Sequence, residues 1–477
     1  MSIPLWTLPA MADAIRAERA GALPASVPGL SIDTRTIAPG EAFFAIKGDR
    51  DGHDFVPAAV QAGAGLAVVA RDKLAAMPKD APLLVVPDVL EGLNDLARAA
   101  RARADAKVIA VTGSVGKTGT KEALRLVLGA QGATHASAAS YNNQWGVPLS
   151  LARMARDTAF GVFEIGMNHA GEITPLTRMV RPHIAIVTAI APVHLEFFGS
   201  LEAIADAKAE IFLGLEPGGV AVLNRDDGRF AHLSAAARAA GVARIVSFGS
   251  HERADARLLK VSLQAETSTV EARILGHDVA YKLGAPGRHV VSNSLAVLAA
   301  ATLAGADLAL AGLALAGLKP AVGRGERMTL ALPGGSALLI DESYNANPAS
   351  MRAALALLGQ VPTRGLGRRI AVLGDMLELG PQGATLHAEL SDAVAESAVD
   401  LVYCAGPLMK SLWDALPSER RGGYADTAAA LEPDILAAVR AGDAVMVKGS
   451  LGSRMGPVVN ALKRRSAQSG EQALAQG

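Results

Sequence analysis

Lys117 and Thr118 follow two glycines in Gly113-Ser114-Val115-Gly116-Lys117-Thr118-Gly119, and residues of these types in this order handle phosphate. Glycines let backbone N–H groups wrap closely around an oxyanion. A helix beginning at the lysine adds unpaired N–H groups and the positive end of its dipole. The lysine can reach terminal phosphate oxygens, and the threonine hydroxyl can hold Mg²⁺. Two residues separate the first glycine from Gly-Lys-Thr, whereas the general P-loop has four, so the match points to a subclass of nucleotide-binding proteins. A glycine turn with no ligand is the plainer alternative.

A phosphoryl-transfer site also needs a divalent cation to offset crowded negative charge. Glu164 closes an otherwise apolar run, where an unpaired carboxylate would be costly, and with Thr118 it offers Mg²⁺ the hard oxygens it prefers. His194, in Ala191-Pro-Val-His194, is a less usual Mg²⁺ ligand, and a solvated loop histidine is the alternative. Lys208 lies in a helical stretch, where composition alone reads it as a surface lysine with i,i+4 neighbours. Asn142 and Asn143, in Tyr141-Asn-Asn-Gln-Trp-Gly-Val-Pro148, are adjacent amides that can hold carbonyl or phosphate groups or simply make a turn. Arg35, Lys47, Arg50 and His53 either gather around an anion or are solvated loop charges.

The elements that must position these residues alternate strand and helix, the pattern of an α/β protein with parallel sheets. A buried strand, Val108–Val111, leads into the glycine loop, and a helix over Lys121–Leu128 leaves it. Further strands are expected at Gly161–Ile165, Ile184–Thr188, Val220–Leu223 and Ile245–Phe248, followed by a β excursion over Val261–Leu283. Their carboxyl ends are where ligands gather in such a sheet. At 477 residues the length suggests about three domains. We expect a small α/β domain over 1–105, a central doubly wound, mostly parallel P-loop domain over 106–322, and a Rossmann-like α/β domain over 323–477. Gly323–Arg327 reads as a hinge into the last of these, and the tail after Lys463 reads as frayed.

With 46 basic and 46 acidic residues, no excess of charge favours nucleic acid or an anionic membrane. Cys404 is the single cysteine, so no intramolecular disulfide forms, which fits a reducing cytoplasm. Met1–Ala20 does not read as a signal peptide, and glycines with Asp307 break the Ala/Leu-rich run Leu295–Leu318, so no membrane span is expected.

Several motifs together resemble the Mur ligases, the ATP-dependent amide-forming enzymes of peptidoglycan precursor synthesis. They are Gly113–Thr118, Asn142–Pro148, Glu164-Ile-Gly-Met-Asn168, His194-Leu-Glu196 and Ala207-Lys-Ala-Glu-Ile-Phe212. Gly287-Arg-His289, Asn293 and Gly323-Arg324 are similar to the family's adenine- and phosphate-contacting segments. Asp341-Glu-Ser-Tyr-Asn-Ala-Asn-Pro348, Gly374–Gly380 and Val447–Ser450 resemble the branch that adds D-alanyl-D-alanine. Asp33-Thr-Arg35 and Asp51–Phe55 extend the likeness to the first domain. The short P-loop is the family's own spacing. Gly119 departs from the family, which usually has Ser or Thr there, and so does Trp145.

The resemblance implies ATP and Mg²⁺ as cofactors. It also implies ligation of D-alanyl-D-alanine to UDP-N-acetylmuramoyl-tripeptide through an acyl phosphate, in the cytoplasm, and since nothing in the sequence demands an oligomer a monomer is expected. It places Lys117 on the phosphates, Thr118 and Glu164 on one Mg²⁺, and His194 with a carbamylated Lys208 on a second metal. Gly113–Gly119, Asn293, Arg324, Asp341, Tyr344 and Asn345 would hold ATP. Asp33, Thr34, Arg35, Asn142 and Asn143 would serve the other substrates. The competing readings are the sibling ligase that adds the third stem-peptide residue, whose Asp-Asn-Pro-Arg motif is absent here, a folylpolyglutamate-synthase-like ligase, and a P-loop regulator without ligase activity.

Overall fold

The apolar run before the glycine loop forms the strand Lys107–Thr112, buried from Val108 onward. Its side chains alternate between two layers. Val108 and Ala110 join one apolar core and Ile109 and Val111 the other, the period of two expected of a strand covered on both faces. In this computed structural model, which describes residues 4–138, 141–193, 195–264, 266–320, 323–363 and 365–475, that strand sits inside a nine-stranded sheet.

From one edge, the sheet runs His277–Leu283, Ser268–Ile274, Ala256–Leu263, Arg244–Gly249, Val220–Asn224, Ile184–Val187, Lys107–Thr112, Phe160–Glu164, Thr134–Ala136. Pairing is parallel from Thr134–Ala136 across to Ala256–Leu263, and the last two strands add an antiparallel meander. The β excursion expected over Val261–Leu283 is this meander, and it extends the main sheet. After Lys107–Thr112 the chain goes to one side for Thr134–Ala136 and Phe160–Glu164, then crosses to the other for Ile184–Val187. The glycine loop therefore lies at the reversal point of strand order, where doubly wound sheets bind ligands.

The C-terminal sheet has six strands in the order Glu326–Leu332, Gly335–Glu342, Ala444–Lys448, Arg369–Gly374, Leu401–Ala405, Arg421–Ala425, all parallel except the first. Glu326 and Arg327, expected in a hinge, begin a strand. The tail is not frayed: the backbone is helical over Gly456–Ala475, and Val458, Val459 and Leu462 bury one face against this sheet. The first unit carries a five-stranded sheet, parallel but for Glu18–Ala20 at one edge.

Packing joins two of the three units closely. One continuous apolar cluster includes Trp6, Leu66, Val68 and Leu84 of the first unit with Val108, Phe163 and Ile204 around the central sheet. Trp6 Nε1 donates to Ala152 O at 3.0 Å, and the Arg103 guanidinium lies 3.4 Å above its ring. The C-terminal unit has cores of its own. Among the described residues, no helix is long and apolar enough to cross a membrane.

Candidate functional site: a nucleotide cavity beside a buried carboxylate and two lysines

The glycine loop is shaped by contacts that tolerate no side chain. Gly116, the residue capping the helix Lys117–Gly129, has φ of 84°, and a Cβ there would lie 2.5 Å from Asn293 Nδ2. The neighbouring strand ends hold the loop. Ser114 N–H donates to Ala189 O (2.8 Å) and its hydroxyl to Ala191 O (3.0 Å), while the Thr188 hydroxyl reaches Val115 O (2.5 Å). Asp227 accepts from Ile190 N–H (2.7 Å), and Asn224 donates to Thr188 O (3.1 Å). The polar run after Val220–Leu223 thus anchors the segment that braces the P-loop.

At the helix start, Lys117 Nζ donates to Gly113 O at 2.7 Å. Burial lowers its pKa below the ordinary lysine value, Glu164 opposes the shift and Arg324 adds to it. Thr118 Oγ1 donates to Glu164 Oε2 (3.0 Å), and Asn142 Nδ2 donates to Glu164 Oε1 (2.8 Å). Glu164, 1% exposed, therefore has a partner on each oxygen.

Lys208 does not lie on the surface. Ile204 and Lys208, four residues apart on Leu201–Ala209, share its inward face, and Lys208 is 1% exposed. Burial drives its pKa well below 10.5. Lys117 lowers it further, and Glu164, Glu172 and Glu210 work the other way.

A cavity of about 560 Å³ opens from the loop to the C-terminal unit, within the range that takes a nucleotide-sized ligand. The central unit lines it with Ser114–Thr120, Asn142, Glu164, His289 and Asn293, and the C-terminal unit with Arg324, Glu342, Tyr344, Asn345 and Lys448. The Arg324 guanidinium stacks 4.5 Å from the Tyr344 ring centroid. Lys448, 2% exposed, donates to Asn345 O (2.9 Å) and pairs with Glu342 (3.2 Å). His289 belongs to a segment expected to contact the nucleotide, whereas Lys448 and Glu342 are additions to the candidate ligands. Lys448 carried a usable signal, being a charged residue at the end of the apolar strand Ala444–Lys448, as Glu164 is of its own.

Other expected residues stand apart from the cavity. Asp341 accepts from Ser343 N–H (3.0 Å) and its hydroxyl (2.6 Å), so it builds the corner before Tyr344 and does not face the cavity. Asn143 accepts from Trp145 N–H (3.2 Å) and Gly146 N–H (2.9 Å) and caps its own helix. Asp33 and Arg35 pair at 2.6 Å in the first unit, away from the cavity with Thr34. Arg35, Lys47, Arg50 and His53 do not form an anion cradle. Asp51 instead takes His53 Nδ1 (2.6 Å) and Lys73 (2.9 Å), and Arg50 lies over Phe55. His194 lies outside the described residues. The Trp145 ring packs on Gly48 of the first unit, which gives this departure an inter-unit role.

Gly119 is also accounted for. It is helical, and a Cβ would meet nothing within 4 Å. Gly119→Ala should therefore stabilise the protein by about 0.5–1 kcal/mol through its helix preference, and because Gly119 lines the cavity the KM for ATP reports whether the added methyl meets the nucleotide. Thermal unfolding and initial rates check this, and a lowered melting temperature would show that the space is needed.

Sequence models of one family match three successive stretches: residues 26–101 (Mur ligase family, catalytic domain), 111–301 (Mur ligase middle domain) and 323–451 (Mur ligase, glutamate ligase domain). The UDP-N-acetylmuramoyl-tripeptide–D-alanyl-D-alanine ligase of Escherichia coli K12 is 35% identical over 459 residues, 96% of this chain and 98% of that one. That of Bacillus subtilis 168 is 33% identical, covering 91% and 93%. Among solved structures, MurF from Acinetobacter baumannii superposes with a TM-score of 0.82 at 29% identity over 97% of this chain and 100% of that one. MurF from Thermotoga maritima in complex with ADP gives 0.75 at 25% identity, covering 92% and 98%. The chain belongs to the Mur ligase family.

Proposed function

We propose that this chain joins D-alanyl-D-alanine to UDP-N-acetylmuramoyl-tripeptide, converting ATP to ADP and phosphate in peptidoglycan precursor synthesis. The observation that carries the reading is identity of 31–35% across 90–96% of the chain to relatives named for this activity. An ADP complex of a structural relative supports ATP as the nucleotide.

A carboxylate resists attack by an amine, so the tripeptide carboxylate is first converted to an acyl phosphate by the γ-phosphoryl group of ATP. The amine then attacks the carbonyl carbon, and phosphate leaves. Lys117 shifts its hydrogen bond from Gly113 O to the β/γ-phosphates, and the loop N–H groups hold the adjoining oxygens. Arg324, Tyr344, Asn345 and Asn293 clasp the nucleotide from the two sides of the cavity, with Lys448 added to this set. Asp341 acts through the corner it builds. Asp33, Thr34 and Arg35 serve the UDP portion in a first domain ending near 105, and the last domain begins near 323.

Thr118 and Glu164 present hard oxygens 3.0 Å apart, a donor set that suits Mg²⁺. Mg²⁺ commonly takes one or two protein ligands and otherwise phosphate oxygens and water. Its contribution is neutralisation of charge at the transferring phosphoryl group. By the family resemblance, His194 and a carbamylated Lys208 would serve a second such position.

The test is phosphate release measured with each substrate omitted in turn. Release should require both UDP-N-acetylmuramoyl-tripeptide and D-alanyl-D-alanine. A requirement for a diamino acid and the dipeptide precursor would favour the sibling ligase. ATP turnover indifferent to both would favour a regulator.

A further inference from the structure

Beyond Glu164 the chain runs Ile165-Gly-Met-Asn-His169, and the proposed mechanism gives His169 no task. Met167 and Asn168 line the cavity, and the next side chain, His169, is 59% exposed at its edge. Its Nδ1 lies 3.1 Å from Glu172 Oε1, and the other oxygen of Glu172 accepts from Asn168 N–H at 2.7 Å. The imidazole also packs against Phe197, with centroids 4.8 Å apart and planes tilted by 55°. A carboxylate on Nδ1 makes that nitrogen the donor and leaves Nε2 with its lone pair. Burial works against the Glu172 carboxylate, yet the hydrogen bonds from Asn168 N–H and His169 keep its pKa below the ordinary value, so it stays charged at neutral pH.

The position matters as much as the orientation. Glu172 and Glu210 both act electrostatically on Lys208, so His169 stands on the Lys208 side of the site. Glu210 accepts from Gly171 N–H (2.5 Å) and Thr174 N–H (2.9 Å), fixing the turn between His169 and the following helix. Phe197 belongs to Leu195–Phe198, whose Glu196 N–H donates to Glu378 O of the C-terminal unit at 3.3 Å. The ring therefore borders the seam between the central and C-terminal units. The charged side chain in contact with the ring is Glu172.

The proposed reaction requires a base. An α-amine has a pKa of about 8, so at neutral pH most of the acceptor is an ammonium with no lone pair to attack with. Lys117 and Arg324 cannot take its proton while they balance phosphate charge, and both oxygens of Glu164 are engaged. We propose that His169, oriented by Glu172, is the general base that takes this proton from the acceptor dipeptide. His169 Nε2 removes one proton from the ammonium, and the freed nitrogen lone pair forms the C–N bond at the acyl carbon. The C–O bond to phosphate then breaks, and the leaving phosphate carries off the second amine proton.

This inference rests on the ligase reading, and the experiment separates the two. His169→Asn keeps a donor near the Nδ1 position for Glu172 and removes Nε2. With D-alanyl-D-alanine near neutral pH the variant should lose about 10²-fold or more in kcat. Its kcat/KM should climb steeply with pH as the dipeptide amine deprotonates unaided. With hydroxylamine as acceptor, a nucleophile already unprotonated at neutral pH, the variant should form the tripeptide hydroxamate at close to the wild-type rate. That arm also reports folding and acyl-phosphate formation. Equal losses with both acceptors, or no loss with the dipeptide, would overturn the assignment. A wild-type protein that forms neither amide nor hydroxamate would overturn the ligase reading itself.

Discussion

Lys208→Ala should lose ligase activity by at least about 10²–10³-fold, and added formate or acetate should restore part of it. The reasoning begins with burial. A lysine 1% exposed, on the same helix face as Ile204, has its pKa driven well below 10.5, mainly by desolvation. A neutral amine can add to CO₂ and lose a proton, giving a carbamate, and the proposed second metal position rests on that modification of Lys208. The alanine variant leaves space at that point for a small carboxylate from solution, which is the basis of the rescue. Phosphate-release assays with and without formate measure it, and undiminished activity in the unsupplemented variant would sink the role.

The same burial makes a stability prediction for the unmodified protein. A folded-state pKa below that of the unfolded chain means that unfolding takes up a proton, so Lys208 costs stability at neutral pH. That cost fades as pH rises from the folded-state value toward 10.5. Lys208→Met should therefore raise the melting temperature near neutral pH while losing activity, and its advantage over wild type should shrink as the solution becomes more alkaline. Thermal unfolding across a pH series checks the sign.

Glu164→Gln should cost a similar factor, about 10²–10³ in kcat, with a smaller effect on folding. The carboxylate accepts from Thr118 on one oxygen and Asn142 on the other. A glutamine keeps one acceptor and puts an NH₂ group against the other partner, so one of the two hydrogen bonds is lost or reversed. Glu164 is also a negative charge that counters burial at both Lys117 and Lys208, and the amide leaves Lys117 without that counterweight and Lys208 with only Glu172 and Glu210. The variant should need more Mg²⁺ for half-maximal rate, since the oxygen pair at 3.0 Å has lost its charge. Rates measured over a Mg²⁺ series distinguish this from simple misfolding, and an unchanged Mg²⁺ dependence would remove Glu164 from the cation site.

The elements that carry the site could be read because their signals are local. Val108–Val111 alternates between two cores, as a run covered on both faces must, and the helix begins at Lys117, where the glycine loop supplies its missing cap. The hairpin at Glu326–Glu342 and the edge strand Arg421–Ala425 were harder to read, since short or half-exposed strands take their identity from the neighbour they pair with.

Taken alone, the sequence determined the chemistry at the glycine loop and the order of strands and helices, because backbone preferences and apolar periodicity act over a few residues. Tertiary structure decided which candidates meet. Adjacent amides parted company: Asn142 reaches Glu164 across 22 residues, whereas Asn143 turns back to cap its own helix. Asp341 and Tyr344, three residues apart, became a corner support and a cavity wall. Arg35, Lys47, Arg50 and His53 found no common anion because Asp51, Asp33 and Phe55 supplied nearer partners for three of them. Lys208 became a buried amine because the inward face of Leu201–Ala209, which it shares with Ile204, is packed into the protein. Some of these pairings are local, as at Asp33–Arg35 and Asp51–His53, but the contacts that assemble the site join segments 22 to 46 residues apart, as Asn142 and Thr118 on Glu164 show.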